Sequence, residues 1–178
     1  SNTFFYQVGV GVGSLALKQA ADQLGFQQKT GIEIGWEESA GLVGDEPWAD
    51  RGRGWAEPGT VPWIPEDMAS ASIGQSVVQI TPLQLARAYA VFANGGWLVT
   101  PHLAAGDIDW MSPEHRTKVA MKPSTLQTIQ EGLRKVVEAG TGAGLNGPGI
   151  PPAAGKTGTA EDSTGGSDHA WFGCYAPY

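Results

Sequence analysis

The chain has 178 residues, 41% of them apolar, enough for one domain with a sizeable core. All of its net charge of −7 lies in residues 33–67, where nine acids face only Arg51 and Arg53; with no basic stripe anywhere, nucleic acid is ruled out as a partner. No apolar run is long enough to span a bilayer, the single Cys174 excludes an internal disulfide, and His102, His115 and His169 are too scattered for metal-ligand spacing, so no cofactor is expected.

Residues 3–24 predict a helix. Phe4, Phe5, Val8, Val12, Leu15, Ala16 and Leu24 fall near helical spacing, Lys18 and Asp22 form an i,i+4 pair, and Gly25 suits the C-terminal cap. Gly9, Gly11 and Gly13 predict either a break or very close packing within it. Residues 30–34 read as a short strand. The rest of 29–67 is irregular, and residues 35–70 form an acidic, tryptophan-rich loop region carrying Trp36, Trp48, Trp55 and Trp63. Each tryptophan needs a surface to cover, which predicts order there. The region reads either as a solvated excursion pinned by those rings or as a binding lid.

Thr81-Pro82-Leu83-Gln84 is a helix start: Thr81 can cap, Pro82 fits the first turn, and Gln84 can complete a capping box. The small and apolar run through Tyr89 and Phe92 predicts a central, buried helix, stopped by Asn94-Gly95-Gly96. Residues 97–100 read as a brief strand. A second capping box opens at Ser124 with Gln127; Leu126, Ile129, Leu133, Val136 and Val137 then make one apolar stripe, and Glu131 pairs with Lys135. Gly140 ends this helix, and a Gly/Pro-rich connector leads on.

The chain closes with a predicted β-hairpin: Gly155-Lys156-Thr157-Gly158-Thr159-Ala160, a polar loop, and the apolar run 170–176. Helices first and a hairpin last imply an α+β arrangement with helices on a sheet. The first strand has little side-chain bulk, so a ligand can lie against its backbone. Lys156 and the hydroxyls of Thr157 and Thr159 beside accessible N–H groups suit a carboxylate. Lys-Thr-Gly is one of three motifs of penicillin-binding proteins and serine β-lactamases, although the triplet by itself fits an ordinary hairpin with an exposed lysine equally well. A P-loop is excluded, because the glycine it needs five residues before Gly155 is Ile150, and Pro151 and Pro152 remove backbone donors.

Several stretches together resemble the transpeptidase domain of class B penicillin-binding proteins, the elongation type in particular. They are Ser1-Asn2-Thr3-Phe4-Phe5-Tyr6-Gln7, Thr30-Gly31-Ile32-Glu33, Ser72-Ile73-Gly74-Gln75 with Thr81-Pro82-Leu83-Gln84-Leu85-Ala86, the Lys-Thr-Gly strand, and His169-Ala170-Trp171-Phe172 with Tyr175-Ala176-Pro177. The resemblance implies a partial β-lactamase-like fold over residues 1–178, helices packed on a truncated antiparallel sheet. It implies a serine acyl-enzyme formed on the D-Ala-D-Ala end of a peptidoglycan stem peptide, resolved into a cross-link by a neighbouring amine and trapped by β-lactams.

Carried over by position, Asn2 and Lys156 are the catalytic candidates. Asn2 would hold the substrate amide, although it fits equally as a polar residue opening a helix. Lys156, Thr157 and Thr159 would bind the carboxylate, Gly158 would permit its approach, and the Thr159 N–H would serve an oxyanion. The parent is expected at the extracytoplasmic face of a bacterial inner membrane, held by an N-terminal anchor and joined to the elongation machinery. No serine in this sequence has a lysine three residues later, so the nucleophile motif is missing. The expectation is therefore a piece cut at both ends, inactive alone and prone to self-association through residues 171–176. The alternative is a non-catalytic interaction module that kept the fold.

Overall fold

Gly13 divides the first predicted helix in two. In the computed structural model, which describes residues 2–34, 36–53, 56–106, 109, 111–161 and 165–178, α1 (Asn2–Val12) and α2 (Ser14–Gln23) meet at this glycine, whose φ of +82° only glycine adopts readily. The backbone falls into two compact units: Ser1–Lys29 with Ser39–Thr81, and Thr30–Glu38 with Pro82–Tyr178. Among the described residues no helix is long and apolar enough to cross a membrane.

In the first unit, α2 ends as its sequence implies. Gly25 takes φ +84°, its N–H bonds Asp22 O at 3.1 Å, and the Phe26 N–H bonds Ala21 O at 3.0 Å, satisfying two carbonyls the helix leaves open. Lys18 pairs with Asp22 at 3.0 Å. The apolar stripe of α1 lies on its exposed side: Phe4 is 61% exposed, and Phe5, Val8 and Val12 are also exposed, as is Leu15 at the start of α2. The helix instead docks through buried Gly9, where a Cβ would come 2.4 Å from the Cβ of Ser72.

The acidic region is more regular than a loop. It contains β1 (Leu42–Val43), α3 (Glu46–Asp50) and α4 (Pro65–Ala71), followed by β2 (Val78–Gln79), antiparallel to β1. Asp45 caps α3 by accepting the Trp48 N–H at 2.8 Å, and Asp67 accepts the Ile64 N–H at the start of α4 at 3.0 Å. Arg53 and Asp67 form an ion pair, their side chains only 9% and 11% exposed. Arg53 also donates to Val61 O at 3.2 Å and Pro62 O at 2.8 Å and lies 5.8 Å from the Trp48 ring. The hydrogen bond from Arg53 holds the Asp67 carboxyl below the usual carboxylate range. Trp55 lies outside the described residues.

In the second unit, the strand expected at 30–34 does not form. Gly31 takes φ +84°, which ends an extended run, and the segment is held by side chains instead. The Thr30 N–H donates to Glu38 at 2.8 Å, and the Glu33 carboxylate accepts the N–H groups of Leu103 and Ala104 at 2.8 and 3.3 Å. Trp36 is 82% exposed, contrary to the expectation that each tryptophan covers a surface.

α5 (Pro82–Ala93) opens on its proline and buries Gln84, Ala88 and Val91. It stops where the Asn94 side chain bonds the Trp97 N–H and C=O, each at 2.8 Å, with Gly95 and Gly96 at positive φ. β3 (Trp97–Val99) pairs antiparallel with β4 (Arg116–Lys118). α6 (Pro123–Ala139) starts one residue before the capping box expected at Ser124: Lys122 is the N-cap without a side-chain bond, because Pro123 already fits the first helical position. Glu131 accepts from Gln127 at 2.9 Å, not from Lys135, since Gln127 also lies one turn away. A 3-10 turn (Ala143–Leu145) leads to β5 (Ala154–Ala160) and β6 (His169–Tyr175), the predicted hairpin. α6 packs on β5 and α5 on β6, the helix-on-sheet α+β arrangement read from the sequence.

Candidate functional site

The hairpin register runs from Ala154 opposite Tyr175 to Ala160 opposite His169. With a side-chain period of two, Lys156 and Gly158 share one face with Gly173 and Trp171, while Thr157 and Thr159 share the other with Phe172 and Ala170. Lys156 and the two threonines therefore lie on opposite faces of the strand. β6 lines one edge of β5; among the described residues no strand lines the other. That open edge presents backbone N–H and C=O groups.

Three glycines on the hairpin differ in their surroundings. A Cβ on buried Gly155 would lie 2.6 Å from Gly173 O and 2.8 Å from Phe172 Cζ. One on Gly173 would lie 2.4 Å from the Tyr89 ring, which burial keeps as a neutral phenol with a raised pKa. At exposed Gly158 the nearest atom would be Trp171 Cβ at 3.6 Å, an ordinary contact. At the first two glycines a side chain has no room; at the third a methyl would make only an ordinary contact.

Lys156 is exposed, and its Nζ donates to Thr157 O at 2.7 Å. Thr157 is half-buried, with its Oγ1 2.6 Å from Thr141 Oγ1. Thr159 is exposed on the same strand. Asn2 lies in the first unit, as the exposed opening residue of α1. The structure thus places four of the five candidates on one strand and the fifth on another element. A cation beside an unpaired edge with little side-chain bulk can take an extended peptide by backbone pairing and its terminal carboxylate by charge.

Sequence reasoning treated residues 140–152 only as a connector and so passed over Thr141. A hydroxyl between two glycines, Gly140 and Gly142, was the available signal. Both glycine N–H groups bond Val136 O, at 3.1 and 3.0 Å, and Gly142 approaches the Phe172 ring to 3.4 Å from where its Cβ would be.

An open strand edge bearing Lys-Thr-Gly, backed by helices, defines the class of penicillin-binding and β-lactamase-like proteins. The family model for the penicillin-binding protein transpeptidase domain matches residues 1–178, and the chain belongs to that family. It is 32% identical to the peptidoglycan D,D-transpeptidase MrdA of Haemophilus influenzae over all of this chain and 30% of that protein. It is also 32% identical to MrdA of Acinetobacter baumannii, over 90% of this chain and 24% of the relative.

Among solved structures, penicillin-binding protein PBP2 of Helicobacter pylori in complex with MreC superposes with a TM-score of 0.83 at 26% identity, over 99% of this chain and 32% of that one. Pseudomonas aeruginosa PBP2 in complex with WCK 5153 gives 0.81 at 29% identity, over 99% and 39%. The chain thus spans between a quarter and two fifths of these proteins. The resemblance to elongation-type class B penicillin-binding proteins and the partial transpeptidase fold both hold.

Proposed function

We propose that residues 1–178 form part of the transpeptidase domain of a peptidoglycan D,D-transpeptidase, in which β5 receives the D-Ala-D-Ala end of a stem peptide or the carboxylate of a β-lactam. The observation that carries this reading is exposed Lys156 on a strand whose second edge has no partner strand among the described residues, next to the exposed, side-chain-free Gly158. Lys156 with Thr157 and Thr159 binds the carboxylate. Gly158 lets it approach, the Thr159 N–H stabilises the oxyanion, and Asn2 holds the substrate amide.

In the reaction a serine oxygen bonds the penultimate D-Ala carbonyl carbon and the terminal D-Ala leaves with a proton. An amine of a second stem peptide then displaces the serine. This sequence has no Ser-x-x-Lys, and the 178-residue chain alone is expected to form no adduct. The parent works at the extracytoplasmic face of the inner membrane with elongation partners, a reading supported by the likeness to a PBP2 bound to MreC.

The test is the rate of acylation by labelled penicillin in the full-length protein. Lys156→Ala should slow it about ten- to a hundredfold, the value of a charge-assisted contact of about 1.5–3 kcal/mol, with an unchanged melt. An unchanged rate makes Lys156 a surface lysine, whereas no acylation of the full-length protein at all favours the non-catalytic module. Mass spectrometry of the 178-residue chain after the same treatment should show only its unmodified mass; an adduct would place a nucleophile within it.

A further inference from the structure

We propose that Thr141 is a positioning residue for the carboxylate-binding strand, acting through the hydroxyl of Thr157. The inference rests on the reading of β5 given above. The 2.6 Å separation of the two hydroxyl oxygens is short even for an O–H···O bond. Thr141 is itself firmly held. It sits between Gly140 and Gly142, whose N–H groups both bond Val136 O of α6, and the backbone at Gly140 approaches Val136 too closely for a side chain. Gly142 in turn packs against Phe172, the cross-strand partner of Thr157. The C-terminal end of α6 therefore grips the hairpin at one rung, through a ring on β6 and a hydroxyl on β5.

That rung is where the strand needs support. Among the described residues β5 has a partner strand along one edge only, and Gly155 and Gly158 flank the Lys156-Thr157 pair with residues of wide backbone freedom. A ligand arriving at the open edge would have to order this stretch if nothing else did, and pre-ordering it removes that cost from binding. Thr141 supplies the tie from the face opposite Lys156 and Gly158, so it can fix the strand without occupying the side of the lysine.

The test uses the full-length protein, labelled penicillin, and saturation kinetics that separate capture from the acylation step. Thr141→Val keeps the shape and removes the hydroxyl; acylation efficiency should fall about two- to tenfold, the worth of one hydrogen bond. Thr141→Ser should restore it. Thr157→Val should lose at least that factor, since it also removes a carboxylate contact, and the Thr141→Val/Thr157→Val double variant should lose no more than Thr157→Val alone. Equal rates for the valine and serine variants, or losses that multiply in the double variant, overturn the proposal. If Thr141→Val does not fold, Thr141→Ala against Thr141→Ser makes the same comparison. Lys156→Ala run alongside separates the two failures. If it leaves acylation unchanged, the reading of β5 is wrong and the tie falls with it; if it slows acylation while Thr141→Val does not, only the tie is wrong.

Discussion

The two units are held together in different ways. In the first, α1 docks through Gly9, but the acidic stretch from β1 to β2 is built from short elements joined by a few charged ties: Asp45 caps α3, Asp67 caps α4, and Arg53 clips Asp67 to the carbonyls of Val61 and Pro62. The second is built from helices and seven-residue strands that approach closely, glycine against ring: Gly155 meets Phe172 within the hairpin and Gly173 meets Tyr89 of α5. Where stability sits in a few buried charges, removing one charge is costly. Where it sits in contact between backbone and ring, adding one methyl is costly.

The sharpest test of that contrast is Asp67→Asn, which leaves Arg53 buried and unpaired. A loss of about 3–5 kcal/mol is expected in the thermal unfolding of the chain, and less for Arg53→Met with Asp67→Leu, which removes both charges. A loss for Asp67→Asn below about 1 kcal/mol would mean the pair behaves as a surface ion pair. The pH dependence has a definite sign. The folded Asp67 carboxyl is held low by Arg53, so its contribution is complete above the unfolded carboxylate range. It disappears as pH falls through the lowered folded value, and the Asn variant should lack that part of the acid transition.

In the second unit, Gly173→Ala drives a methyl into Tyr89 and should cost about 1–3 kcal/mol by overpacking. Tyr89→Leu in the same chain should recover part of the loss. Additive losses in that pair would show that Gly173 matters for its backbone alone. The smallest effect concerns Glu33, whose own amide and then the Leu103 and Ala104 N–H groups lower its pKa. Hydrogen exchange should show Leu103 and Ala104 losing protection as pH falls through that lowered value, and Glu33→Gln should remove the pH step.

What was legible in the sequence follows the same contrast. Pro82 and the Asn94-Gly95-Gly96 stop marked α5, and the Gly-rich and apolar runs marked both strands of the hairpin, because local chemistry decides those ends. The placement of Lys156, Thr157, Gly158 and Thr159 on one strand was likewise readable. The five-residue α3 was not, being too short to show a period. Residues 30–34 misled because Glu33 and Glu38 bond backbone groups that a strand would otherwise use, a choice set by tertiary context. The outward stripe of α1 was hidden for a related reason: apolar spacing shows that a face exists, but Gly9 decides which face meets α4. The Thr141–Thr157 contact joins residues 16 apart whose meeting depends on the α6–β5 packing, which no local pattern encodes.

Gly158 has a consequence for how this sequence can drift. Folding demands glycine at 155 and 173, where a side chain has no room, but not at 158, where a methyl would meet only Trp171 at ordinary distance. Alanine is the better strand residue by about 0.5–1 kcal/mol, so variants selected for stability alone should abandon glycine at 158 readily. A library of the full-length protein sorted once for folded abundance and once for penicillin capture should diverge at this position. Alanine should be enriched in the first sort and depleted in the second, with 155 and 173 remaining glycine in both. Under the proposed function, a position can thus be free for the fold and constrained for ligand capture, and selection against capture could explore 158 without first solving a folding problem.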